Sequence, residues 1–209
     1  MRHKLIILVF LIASVFWSRS ISPVSAALPD SLKQSLGTAV VWGEAGASGV
    51  TSTCTTGAVS CTLTLDALAN AGGRMGNYKD LGATWDQDQI VCLAIETGTA
   101  PAAGTTVELY LAFSYDNTYW PGKVTGSDAA YPATIADNKK QLGNPAVILV
   151  ATADTNTVLK QQCNIVRPAG RYVTPVIVNL LGQAIRDETT ATDNDSRVIL
   201  IPLQTTVVD

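Results

Sequence analysis

Short apolar runs rich in Val, Ile and Leu recur along this chain, and clusters of Gly, Pro, Asn, Asp, Ser and Thr separate them. Residues 61–67 (CTLTLDA) alternate apolar and polar positions, the period of a strand with one wet face. Residues 106–115 (TVELYLAFSY), 171–180 (RYVTPVIVNL) and 197–207 (RVILIPLQTTV) predict longer strands, and residues 38–42 (TAVVW) a short one. Residues 80–97 predict one or two strands with a polar interruption at 86–89, followed by a Pro/Gly loop over 97–104. Residues 144–152 (NPAVILVAT) and 157–166 (TVLKQQCNIV) read as two strands with a hairpin-like connection at 153–156. Residues 67–78 (ALANAGGRMGNY) start with helix formers but break at Gly72 and Gly73, which predicts a loop or short turn.

No long amphipathic helix emerges from this pattern. Strands that recur between turn signals predict an all-β fold, an antiparallel β-sandwich of jelly-roll-like type. Pro175 and Pro202 fall inside strand-like runs, and a residue without an amide hydrogen belongs at an edge or a bulge. Two such strands suggest managed edges, and so a sandwich in preference to a closed barrel.

The first residues follow a different pattern. Arg2 and Lys4 precede an apolar run over 5–17, and small residues stand at Val24, Ser25 and Ala26. This is the layout of a secretory signal peptide cleaved after Ala26. The run falls short of the roughly 20 residues a bilayer span needs. The expected organisation is a leader over 1–26, or an apolar arm that packs into a neighbouring subunit, and a single sandwich domain over 27–209. Any membrane contact would run through the leader alone.

Charge narrows the partner class. Three of the fourteen basic residues, Arg2, Lys4 and Arg19, lie in the leader, leaving eleven against seventeen acidic residues after it, a balance of −6. Without clustered Lys and Arg to displace counterions, no direct nucleic-acid contact is expected. Only 15% of residues are charged, so the exterior is easily covered by neighbours.

Cys54, Cys61, Cys92 and Cys163 make an even set behind an export-like leader, the arithmetic of disulfides. Cys54 and Cys61 bracket a turn-like TTGAVS, which favours closure of that loop. Cys92 and Cys163 sit in separate strand-like runs and would join only in matching register; buried free thiols are the equal alternative for them. No metal site or cofactor is expected, because no cysteine pair has zinc spacing and no histidine follows the leader.

The only histidine is His3, which leaves no histidine-based triad or ligand set in the body. Neither a G-x-S-x-G elbow nor a phosphate-binding P-loop is present. The carboxylate pairs Asp86 with Asp88, and Glu96 with Glu108, are the only glycosidase-like candidates, and solvated surface is the better reading of them. Asp187, Glu188, Asp193 and Asp195 crowd one loop, as hard calcium ligands do, but without the EF-hand spacing. Asn194, Asp195 and Ser196 form a glycosylation sequon. Catalysis is therefore not expected.

Residues 108–131 (ELYLAFSYDNTYWPGKVTGSDAAY) join a buried-type strand to an aromatic loop and a Gly-Ser-Asp turn. Aromatic rings there would anchor a protein partner or stack on sugars. This segment, with RYVTPVIVN at 171–179 and DNDSRVILIPL at 193–203, resembles tailed-phage virion structural proteins. In those proteins a Y-x-x-x-S-x-D strand leads to V-x-G-S-D-A-A-Y, then R-Y-V, then D-N before a closing apolar strand. The resemblance runs from about Gly37 to the C-terminus. It implies a capsid decoration or cement protein: a β-sandwich on the outer shell that binds the major capsid protein or other virion subunits, with no catalytic role. It further implies a homo-oligomer, such as a trimer, with Tyr115, Tyr119, Trp120, Lys123, Asp128 and Tyr131 at a contact. A secreted carbohydrate-binding module is the alternative, with Trp120 and neighbouring tyrosines as the stacking platform.

Overall fold

The computed structural model describes residues 31–43, 61–83, 85, 87–134, 136–152, 160–186 and 196–208. The chain divides into a large unit, 34–206, and a small one of 1–33 with 207–209. The large unit carries the features below.

The described strands are β1 (Ser31–Leu36), β2 (Val40–Trp42), β3 (Gly73–Met75), β4 (Lys79–Asp80), β5 (Gln89–Ile95), β6 (Thr106–Ser114), β7 (Ala129–Tyr131), β8 (Val147–Val150), β9 (Lys160–Val166), β10 (Tyr172–Leu180) and β11 (Arg197–Val208). A single 3-10 turn (Pro121–Lys123) and a short helix, α1 (Ala136–Leu142), lie in the long connection from β6 to β8. One antiparallel sheet has the order β1-β11-β5-β9, with β2 also on β11; the other has the order β7-β3-β10-β6-β8, with β4 also on β10.

The pairing is nested from the outside in. β2 pairs with β11, β3 and β4 with β10, β5 with β9, and β6 with β8. Successive pairs alternate between the two sheets, so the chain is one long antiparallel hairpin rolled into two layers. That is the jelly-roll form of the β-sandwich.

Alternation builds the core between the layers. Val91, Leu93 and Ile95 of β5 and Val198 and Leu200 of β11 meet Val107, Leu109 and Leu111 of β6 and Val173 and Ile177 of β10. Trp42 is fully buried among them, and its indole nitrogen donates to the Asn77 carbonyl at 2.7 Å. β10 is buried on both faces, which explains the consecutive apolar residues over 175–178. Val176 and Val178 point away from the main core and join Met75, Tyr110, Ala112, Val124 and Tyr131 in a second cluster. The connection from β6 to β8 lies over that outer face.

Three sequence expectations need correction. Residues 67–78 do not form only a loop: they contain β3, which pairs with β7 and β10. β8 and β9 are not a hairpin pair but lie in opposite sheets, β8 on β6 and β9 on β5; the connection at 153–156 is outside the described residues. Neither proline lies in an edge strand.

Pro175 is in β10 and Pro202 in β11, both flanked on two sides. Each instead faces an interruption in the neighbouring strand. Met75 pairs with Val176 and Lys79 with Val173, so three residues, 76–78, oppose two, which makes a one-residue bulge opposite Pro175. There the Gly76 amide donates to the Pro175 carbonyl at 2.9 Å. The Gly76 carbonyl, lacking a proline N–H to meet it, accepts the Thr174 hydroxyl at 2.5 Å. Pro202 likewise accepts from Gly37 at 2.8 Å, in the gap between β1 and β2.

Cys92 and Cys163 stand directly opposite in the β5–β9 register and form a disulfide, so they are not free thiols. Cys61 is also disulfide-bonded. Cys54, its favoured partner, lies outside the described residues.

Candidate interaction site

One end of the sandwich gathers the connections at 81–88, 115–120 and 167–171. Asp80 and Ser114 both register with Tyr172 in one sheet, and Gln89 registers with Val166 and Pro202 in the other. Six of the ten aromatic residues after position 26 collect here: Tyr78, Trp85, Tyr115, Tyr119, Trp120 and Tyr172. Tyr78 packs edge-on to Tyr172 at 5.8 Å between ring centres and lies 6.5 Å from Trp120. Trp85 meets Tyr115 edge-on at 5.8 Å. Arg171 lies over the Tyr172 ring and makes a two-pronged ion pair with Asp80, both contacts 2.7 Å. Those hydrogen bonds hold the Asp80 carboxyl below the ordinary carboxylate range.

The loop tip is fixed by its own side chains. Asp116 accepts from the amides of Thr118 (2.9 Å) and Tyr119 (3.1 Å) and from the Ser114 hydroxyl (3.1 Å). This is an Asx-type turn, with Asn117 in the left-handed region at φ 60°. The same backbone hydrogen bonds hold the Asp116 carboxyl below its usual range. On this turn Tyr115 is 72% exposed and Tyr119 80%. Such exposure of large rings on a fixed turn is what an anchor residue needs, because the backbone is already ordered and only the two side-chain torsions of each ring are left to fix on contact.

The other expected contact residues divide. Lys123 is exposed, at the end of the 3-10 turn. Trp120 is half-buried, packed on the second cluster, with Gly126 beneath it: a Cβ there would come within 3.1 Å of the indole. Tyr131 is 3% exposed and part of that cluster, so it is an interior residue and not a surface contact. Burial raises its hydroxyl pKa.

Asp128 is a tether. It accepts from Arg74 Nε (2.6 Å) and from the Thr64 hydroxyl (2.7 Å), and its amide donates to Asn77 Oδ1 (2.7 Å). Burial alone would raise its pKa, but the hydrogen bonds from Arg74 and Thr64 bring it below the usual carboxylate value. The turn at 126–128 is thereby fixed to β3 and to the segment before it, and the Asp128 carboxylate spends its hydrogen bonds within the fold.

Of the candidate carboxylate pairs, Glu96 and Glu108 are not brought together. Glu96 follows β5, buried and ion-paired with Arg186. Glu108 projects from the outer face of the opposite sheet, where it accepts from Tyr110 (2.8 Å) and Lys139 (3.1 Å). Burial and then this bond raise the Tyr110 pKa. Asp88 lies at a shallow groove of 340 Å³, lined by Gln34, Gln87, Asp88, Arg167, Leu203 and Thr205 at the same end of the sandwich. Asp86, the acidic loop of Asp187, Glu188, Asp193 and Asp195, and the sequon residue Asn194 lie outside the described residues. Among the described residues no group of three or more His, Cys, Asp or Glu is placed to hold a metal ion.

Sequence reading missed Tyr78, Trp85 and Tyr172 as parts of this end. Tyr78 and Trp85 lie seven positions apart, Tyr172 opens β10 far along the chain, and no linear motif joins them. No protein-family model matches the chain, and comparison with curated proteins and with solved structures returned no match.

Proposed function

We propose that this chain is a virion structural protein of the capsid decoration or cement kind, which stabilises a shell by covering it. The observation that carries the reading is the pair of exposed tyrosines, Tyr115 and Tyr119, on a turn locked by Asp116 at the aromatic end of a jelly roll. Jelly rolls serve as capsid and lectin domains alike, so the fold is compatible with the role without assigning it. The resemblance of residues 108–131, 171–179 and 193–203 to phage virion proteins supplies the partner class: the major capsid protein or another virion subunit. The proposed mechanism is mass action. A protein that binds only the assembled shell stabilises it by RT ln(1 + [L]/Kd), about 2.7 kcal/mol at a hundredfold excess over Kd. The role needs no bond-breaking residue, and we assign none.

The test is shell rupture by heat or osmotic shock, with and without the protein. Wild type raises the rupture threshold, and Tyr115→Ala with Tyr119→Ala removes the increase while the chain stays folded. An unchanged threshold with wild type would defeat the proposal.

The polar groove at the same end favours one second reading, a secreted carbohydrate-binding module. Amide, carboxylate and guanidinium groups gathered in one groove are the usual chemistry of sugar recognition. Glycan-array binding that is lost in the same tyrosine variants, with no shell effect, would select it.

A further inference from the structure

β8 ends one sheet and β9 ends the other. They flank each other on one side of the sandwich, where Asn164 Nδ2 of β9 donates to the Ala146 carbonyl just before β8, at 2.9 Å. Among the described residues neither strand has a hydrogen-bonded neighbour on its outer side. Proteins usually blunt such edges with proline, bulges or charge. Here the β6–β8 and β5–β9 registers run without a break, neither strand contains proline, and Lys160 is the only charged residue in either. Ile148, Val150 and Ile165 are 42%, 54% and 62% exposed, and they make up half of the six exposed large hydrophobic residues among the described residues. By alternation Ile148 and Val150 lie on the outer face of one sheet, and Ile165 on the outer face of the other, beside the Cys92–Cys163 disulfide.

We infer that a second copy of this chain docks on the β8/β9 edge, across a two-fold axis perpendicular to both sheets, so that each sheet continues into its counterpart. Two open edges lie side by side in layers about 10 Å apart, and a single added strand completes only one of them. A partner that offers two edges at the same spacing is another copy. The two-fold sets β8 antiparallel to its own copy and β9 likewise, and with Lys160 at the start of β9 as the only charge, little along either strand repels self-pairing. Each exposed side chain then gains cross-strand neighbours on its own face.

The Ile165 amide already donates to the Asn164 side chain at 2.8 Å, so pairing relies on the remaining outward amides of the two strands. β9, with seven residues, is roughly 23 Å long, which gives a contact on the order of 500 Å² per partner against about 800 Å² for a standard interface. A contact of that size is a weak one, so the dimer is concentration-dependent. The inference does not depend on the proposed virion role.

Sedimentation of the full chain across the micromolar range tests it, alongside the Val150→Lys, Ile165→Lys double variant. Wild type dimerises, and the variant, whose changes are at exposed positions, melts as wild type does but associates about tenfold or more weakly. If the variant fails to fold, hydrogen exchange on wild type decides, and concentration-dependent protection of residues 147–150 and 161–166 supports the pairing. A monomer at every concentration overturns it, as does a variant that associates like wild type. Edge protection that arises only on adding purified shell protein also overturns it, in favour of a different chain at the edge.

Discussion

Tyr119 and Tyr131 are twelve positions apart in one segment, and their environments are opposite. Tyr119 is anchored only through its backbone, with its ring in solvent, whereas Tyr131 lies in the second core beneath the connection from β6 to β8. Tyr131→Ala is expected to cost about 3 kcal/mol or more, as loss of a buried ring does. Tyr119→Ala should stay within about 0.5 kcal/mol, as exposed substitutions do. Chemical denaturation of the two variants checks both.

Asp128 contributes to the pH dependence, beside Asp80 and Asp116, whose carboxyls are also held below their usual range. Its pKa is lowered in the folded chain, so its ion pair contributes stability above the unfolded carboxylate range and loses it as pH falls through the folded value. Asp128→Asn should cost about 2 kcal/mol at neutral pH, the scale of a hydrogen-bonded charge. It should also flatten the acid limb of the stability curve, which thermal melts between neutral and acidic pH will detect.

At the scale of elements, the prolines explain how the sheets tolerate them. Pro175 sits in a strand flanked on both sides because the neighbouring strand bulges opposite it and Thr174 supplies the missing donor to Gly76. Thr174→Val keeps the volume and removes that donor, leaving a buried carbonyl unmet. The expected loss is about 1–3 kcal/mol by denaturant titration. Gly76 is equally constrained, since a Cβ there would fall 3.0 Å from both the Pro175 ring and the Thr62 carbonyl. The sequence pointed to an edge or a bulge, and the bulge is what forms. It pointed to a β8–β9 hairpin, and none forms. Two apolar runs separated by a short polar link are the same pattern whether the chain turns back within a sheet or crosses between layers.

Over the whole molecule, the Cys92–Cys163 disulfide joins β5 to β9 across a sequence separation of 71. Closing a loop of that length constrains the unfolded chain by about 4 kcal/mol in the chain-entropy account. Reduction should therefore lower the melting temperature, and mass analysis of alkylated protein will track the thiols released. The bond spans one of the nested pairs, so it holds together strands whose pairing closes a long loop.

The sequence by itself determined the all-β class, most strand positions and the segment in which the exposed aromatic residues fall. Alternation, turn residues and the lack of a helical period are local properties of the chain. Only the tertiary structure decided which strands pair, which rings of residues 108–131 face solvent, that Asp128 is a tether, and that β8 and β9 leave two edges open together. Those outcomes depend on contacts between residues far apart in the chain. A strand's pattern says that one face is buried, while the rolled hairpin decides what covers it and whether the other face is covered too.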